Sequence, residues 1–409
     1  MLAESPNSCL KIFCFGLPEG TALSFKIGGK MKKKIYFILF FVILFSLTLS
    51  ASLLDVYKSG KIKLVPDPNF GKGTDWDIYF PQGIKDIAFA KDGSFFATGF
   101  GNKACHCVYK FDKDGKFLKK IGRKGRGPGD LYHPGALSIL DNKYLLVADY
   151  PLNMKISVFD LNGKYLKTIR TKKTVYDIVG LKHNVLFYLS ERFGDYNVFS
   201  IYMKNIISGK ETLIKKYKEK AIKSSVQAPQ YYGDAFIKKI GNENLLISFN
   251  NSKDVFIYSS LGKLLKSFKI KRKKRRISEE EKDSFYKIME KNAKKYPVYK
   301  RIIKKMYRMK IFPEYAPYYL NILTDKERNI LIFPEISYVK TKKIKFDIYD
   351  KNGVFYLSAI FVLKERIDKT EFERVLSFNN GYLYFPSHKD DNFILCRVKI
   401  KRLKKEKIK

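Results

Sequence analysis

Residues 108–121 read Val108-Tyr-Lys-Phe-Asp-Lys-Asp-Gly-Lys-Phe-Leu-Lys-Lys-Ile121, and residues 156–169 read Ile156-Ser-Val-Phe-Asp-Leu-Asn-Gly-Lys-Tyr-Leu-Lys-Thr-Ile169. The two stretches match almost position for position. Each alternates apolar and polar side chains, breaks at a glycine and alternates again, which is the pattern of a two-stranded hairpin. Weaker copies follow at 255–268 around Gly262 and at 346–360 around Gly353, while 201–217 is a degenerate relative turning at Gly209. Aligned on Phe111, Phe159, Met203, Tyr258 and Tyr349, the copies stand 48, 44, 55 and 91 residues apart, the last interval being double. A further copy without a turn occupies 393–399.

Upstream of the hairpins lie second strand pairs, such as 84–91 with 94–100, 136–140 with 144–149, and 319–324 with 329–334. Four strands every 45 to 50 residues or so is the period of a propeller blade. Such sheets cannot bury both faces alone, so they must pack around an axis. The expected fold is all-β: a six-bladed β-propeller over residues 60–402. Its sixth unit shows three strands (372–378, 381–386, 393–399), and the spare strand 61–65 is expected to complete it and close the ring. An insert at 276–311, between blades four and five, reads as a helical hairpin. Ser278 with Glu281 forms a capping box, Phe285, Ile288 and Met289 recur at helical spacing, and Pro297 interrupts before a second stripe of Val298, Ile302, Ile303 and Met306. The hairpin either packs outside blades four and five or covers the channel mouth.

The segment Ile121-Gly-Arg-Lys-Gly-Arg-Gly-Pro-Gly-Asp-Leu-Tyr-His-Pro134, followed by Ala136-Leu-Ser-Ile139, resembles the inter-blade signature of NHL-repeat and related six-bladed propellers of exported bacterial proteins. Phe312-Pro-Glu-Tyr-Ala-Pro317 is similar to another such linker. The resemblance covers about residues 60–400 and is strongest in the first two blades. It implies a scaffold shared by binding proteins, sensors and some lyases or hydrolases, so the fold alone transfers no function.

The chain has 409 residues, 45% of them hydrophobic and 15% aromatic, which excludes a disordered protein. Lys and Arg total 80 against 40 acidic residues, a net charge of +40, of which residues 1–51 carry little. Such a field draws acidic partners without choosing among them. Lysine far outnumbers arginine, which fits solvated strand faces better than forked recognition of phosphate. Lys32, Lys33 and Lys34 precede an apolar run from Ile35 to Leu47, then Thr48, Ser50, Ala51 and Ser52. This is the layout of a secretory signal over 31–52, with 1–30 an upstream extension outside the fold. Export to the periplasm or exterior is expected, with an uncleaved signal serving as a membrane anchor. Cys105 and Cys107 read as small buried residues of a strand rather than a bridge, with His106 in the same strand.

Links between blades and loops between second and third strands share one face of a propeller, and the within-blade turns share the other. By that rule the long segments 66–83, 122–134, 217–233 and 271–317 gather on one loop-rich face, the expected binding site. Its candidate ligand contacts are Arg123, Arg126, Tyr150, Arg192, Tyr231 and Tyr232. The function read from this arrangement is an exported binding scaffold for a peptide, glycan or protein partner, with an acidic partner favoured, no nucleic acid, no cofactor and a monomeric state. The alternative is an exported lyase or hydrolase at the channel mouth using His133 or His388 with Asp195 or Asp390. No metal is expected, since the four histidines lie in different units and His183 falls in a far-face turn. The glycine-rich stretch 122–129 is not a phosphate loop, because it leads into a strand and lacks the lysine ending.

Overall fold

The quoted hairpins form as read. Gly115 and Gly163 each turn with φ of 86°, a conformation that costs a Cβ-bearing residue strain. The aspartate that opens each turn closes it: Asp112 Oδ1 accepts the N–H groups of Asp114 and Lys116 at 2.9 Å, and Asp160 Oδ1 those of Asn162 and Lys164 at 2.9 and 2.8 Å. Asp350 repeats the arrangement with Asn352 and Val354, both at 2.8 Å.

The computed structural model describes residues 52–58, 61–81, 83–99, 105–149, 154–171, 173–221, 233–295, 303–304, 311–333, 341–367, 377–389 and 392–402. A short helix α1 (Leu53–Tyr57) precedes β1 (Lys61–Pro66), and α2 (Trp76–Tyr79) follows it. Blade one is β2 (Ile84–Phe89), β3 (Phe95–Gly99), β4 (Val108–Phe111) and β5 (Phe117–Ile121). Blade two is β6 (Pro134–Leu140), β7 (Tyr144–Asp149), β8 (Lys155–Asp160) and β9 (Tyr165–Arg170). Blade three is β10 (Val175–Leu181), β11 (Asn184–Phe193), β12 (Tyr196–Asn205) and β13 (Glu211–Lys220). Blade four is β14 (Ala235–Ile240), β15 (Asn244–Phe249), β16 (Asp254–Ser259) and β17 (Leu264–Lys269). Helix α3 (Glu279–Lys295) intervenes. Blade five is β18 (Asn321–Thr324), β19 (Ile330–Phe333), β20 (Thr341–Tyr349) and β21 (Phe355–Ile367), and blade six begins with β22 (Ser377–Asn379), β23 (Tyr382–Lys389) and β24 (Asn392–Arg402). Each blade pairs its strands in sequence order.

The N-terminal strand completes blade six, as expected from the sequence. β1 pairs antiparallel with β24, Leu64 opposite Ile400, and also parallel with β21, Ile62 opposite Phe361. Blades five and six therefore merge into one eight-stranded sheet. Six hydrophobic clusters, one between each neighbouring pair of blades, close the circle. The outer strands carry the lysines. In β5 and β17 nearly every side chain is at least partly exposed, and charge along such edges discourages pairing with other chains.

Three expectations need correction. The link 66–83 is in part core and not wholly surface loop: most of its side chains are at least partly exposed, but Trp76 and Phe80 are buried between blades six and one, where they fill the wedge at which the ring closes. Gly71 and Thr74 reach down to the blade-one turn at Asp114 and Gly115. His106 precedes β4 and so lies in a loop rather than a strand. Cys105 and Cys107 form a disulfide across it, since the bend between them brings their Cα atoms to 5.1 Å.

In the insert, Ser278 Oγ accepts the Glu281 N–H at 3.2 Å and Glu281 Oε2 accepts the Ser278 N–H at 3.1 Å, the reciprocal bonds of a capping box. The helix so started packs Phe285 and Ala293 on Ile277, Ile303, Ile311 and Phe312. Of the expected second helix, only 303–304 are described, and these are helical.

Candidate functional site

The first strands of the blades surround the axis. Their side chains stitch one blade to the next: Asp86 of β2 accepts the Leu137 N–H of β6 at 2.6 Å, Ser138 Oγ of β6 accepts the Gly180 N–H of β10 at 3.0 Å, and Asp177 of β10 accepts the Ile237 N–H of β14. Lys239 of blade four reaches across to the Ile139 carbonyl of blade two at 2.8 Å. Asp86 and Asp177 are partly exposed and Asp234 is exposed, although protein surrounds all three carboxylates on the inner strands.

Burial dominates their acidity. It lifts Asp86 to about 7, with Asp177 adding repulsion and the Leu137 N–H and Lys238 opposing; burial likewise lifts Asp177, and lifts Asp234 to about 6. Folded Asp86 thus keeps its proton to near neutrality, whereas an unfolded aspartate loses it near pH 4. The proton-linked stability is present below pH 4 and is lost as pH rises from about 4 to about 7. In Asp86→Asn, urea unfolding at pH 5 and pH 8 should show a difference smaller than in the parent by on the order of 1–2 kcal/mol, the partial exposure of Asp86 weakening the effect. An unchanged difference would assign the pH dependence elsewhere.

On the loop face, blades one and two bring together Lys85, His106, Tyr132, His133 and Asp149. The His106 and His133 rings lie 5.5 Å apart, and His106 Nδ1 bonds the Tyr132 carbonyl. Desolvation first, then His106, Lys85 and Lys124, hold His133 below its usual value against the pull of Asp149. Desolvation also lowers Lys85 to about 8. The buried Asp149 carboxylate accepts the backbone N–H of Tyr132 at 3.0 and 2.9 Å and of His133 at 2.5 Å. It holds the loop in place, and the two imidazoles stand beside it at the rim.

The glycine-rich link is not a phosphate cradle. The Gly125 N–H goes to the Leu131 carbonyl and the Gly127 N–H to Asp130, while the carbonyls of Gly127 and Asp130 face the buried Lys155 ammonium at 3.4 and 2.7 Å. Arg123 is 86% exposed and pairs with Asp130 at 2.9 Å, a hydrogen bond that holds the pKa of that carboxyl group below its usual value. Arg126 is exposed on the same link, and Arg192 is exposed at the tip of β11 with its Nε 3.3 Å from the Gly194 carbonyl. Asp195 occupies the adjacent turn, in blade three, while His133 opens blade two. His388 ends β23, but its side chain, with Tyr150, Tyr231, Tyr232 and Asp390, lies outside the described residues, as does the signal at 31–51. Among the described residues no group of three His, Cys, Asp or Glu side chains could hold a metal ion, and no helix is long and apolar enough to cross a membrane.

Sequence reasoning missed the inner-strand carboxylates and Lys85. A signal existed: Asp86, Asp177, Asp234 and Asn321 each precede an apolar residue at the start of a first strand, and each accepts that residue's N–H at 2.8 to 2.9 Å.

No curated protein matches the chain. Among solved structures, it is similar to a Bacteroides fragilis protein assigned as exported, at 16% identity and a TM-score of 0.47, covering 84% of this chain and 99% of that one. A streptogramin B lyase aligns at 11% identity and 0.40, covering 79% and 84%, and BamB from Moraxella catarrhalis at 9% and 0.33, covering 77% and 83%. These likenesses are too distant to carry a function. A family described as 6-bladed beta-propeller matches residues 82–375, most of the length, and with six blades closed by the chain's own first strand the protein belongs to that family.

Proposed function

We propose that this protein is an exported binding scaffold that holds a peptide, glycan or protein partner against its loop face. The observation that carries the reading is the asymmetry of the two ends. Tight turns such as those at Gly115, Gly163 and Gly353 close one end, while the 122–134 link, the α3 insert and the extended β11–β12 hairpin belong to connections of the other. Variable loops on a rigid frame are where recognition evolves. The exposed Arg123, Arg126 and Arg192 and the net charge of +40 favour an acidic partner. The signal-like segment at 31–52 supports export, and the Cys105–Cys107 bridge suits an oxidising compartment.

The lyase or hydrolase alternative has less support. It needs an acid or base beside His133, and Asp149 is already engaged by two backbone N–H groups. The test is capture by the exported protein, with cross-linking mass spectrometry to identify what is held. Arg126→Glu with Arg192→Glu should weaken retention of the partner about tenfold or more. Retention of every partner at parental strength would rule out this surface.

A further inference from the structure

Three neighbouring blades end on the turn face in an exposed apolar side chain: Ile207 of blade three, Leu261 of blade four and Val354 of blade five, at 75%, 82% and 60% exposure. Each has an exposed lysine within three residues, namely Lys210, Lys263 and Lys351. Exposed Leu213, Leu264, Leu265 and Tyr356 continue the apolar character onto the adjoining outer strands. The acidic groups nearby are engaged: Glu211 with Lys204 at 3.2 Å, Glu243 with Lys182 at 3.1 Å, and Asp350 with the N–H groups of its own turn. In blades one and two the residues flanking the turn glycine are Asp114 with Lys116 and Asn162 with Lys164, so among the described turns an exposed apolar side chain occurs only in blades three to five.

The chain enters the propeller in that same sector. The Leu53 N–H bonds Glu327 at 2.6 Å and the Tyr57 hydroxyl bonds Asp325 at 3.1 Å, both acceptors lying in the β18–β19 turn of blade five. Lys58 bonds Tyr356, two residues beyond Val354. The sequence that precedes Leu53 contains the apolar run from Ile35 to Leu47.

We propose that the turn face of blades three to five docks on a bilayer containing anionic lipid. Single apolar tips alternating with lysines suit the headgroup boundary, where the apolar ends insert shallowly and the lysines are drawn to the anionic surface. The same composition suits a protein partner poorly, since lysine is depleted from protein interface cores. Docking in this way turns the loop face outward, away from the lipid. The proposal concerns a different face from the binding reading and does not depend on it.

The form to test is residues 53–409, which close the ring with their own strands and lack the apolar run. It should co-sediment with phosphatidylcholine vesicles containing phosphatidylglycerol, bind pure phosphatidylcholine much less, and release as salt is raised. Ile207→Ser with Leu261→Ser and Val354→Ser should weaken binding about tenfold or more while leaving the thermal midpoint nearly in place, because these side chains are mostly exposed. Arg126→Glu with Arg192→Glu, on the opposite face, should leave vesicle binding within about twofold, so that failure of either reading is seen separately. Absence of binding to the anionic vesicles, or equal binding by the triple serine variant, overturns the proposal. So does a self-association in ultracentrifugation that the triple variant abolishes, which would give the tips to a second copy of the chain.

Discussion

Ile62→Asp is expected to unfold the protein or to lower its stability by more than about 4 kcal/mol, the range reached when an unpaired charge is forced into a core. Ile62 is fully buried among Phe346, Phe361 and Ile400, and its strand is held on both sides, by β21 and by β24. A carboxylate there has neither water nor a described cation to meet. The loss would not stay local, because β1 joins the sheet of blade six to that of blade five. Urea midpoints measure it, with Ile62→Val as the packing control at about 1 kcal/mol. A midpoint for the aspartate variant equal to that of the valine variant would mean that the ring stays shut without this strand.

Arg397→Ala should cost about 3–5 kcal/mol, the usual penalty for removing one partner of a mostly buried ion pair. The guanidinium of Arg397, on blade six, meets Asp67 at 2.8 and 3.1 Å and Asp114 at 3.3 Å, and donates to the Lys113 carbonyl. Phe70 and Tyr382 flank it, with ring centres 4.6 and 4.9 Å away. One side chain thus ties the last blade to the 66–83 link and to the first blade. Its removal leaves Asp67 without its cation. Arg397→Lys keeps the charge but not the planar fork or the stacking, and should recover less than half of the loss. Denaturant unfolding of the three forms decides, and a loss below about 1 kcal/mol for the alanine variant would reduce the cluster to a surface contact.

The fold was legible because its unit repeats. The Gly115 and Gly163 turns fall at the same place in two matching stretches, and the need to finish an incomplete sixth blade pointed to residues 61–65, which pair with β24 as expected. The capping box at Ser278 was legible for a different reason, since both partners lie within one turn of chain. What escaped depends on contacts remote in sequence. Sorting segments by connectivity put 66–83 on the surface, although Trp76 and Phe80 are the side chains a core would claim. His106 and His133 meet only because consecutive blades stand side by side. The Asp86 and Asp177 carboxylates look like ordinary strand-start residues until the ring places them on one axis.

The merged sheet of blades five and six also governs how the protein can be made. A ribosome delivers β1 some three hundred residues before β24, so the first strand must wait for β21 along one edge and for the last strand along the other. Blades one to four can assemble from local partners in the meantime, whereas the final seam joins the two ends of the chain and carries the largest loop-closure cost. Truncation that removes β24 should therefore leave a nearly complete molecule with an open, sticky seam, a ready substrate for chaperones and proteases.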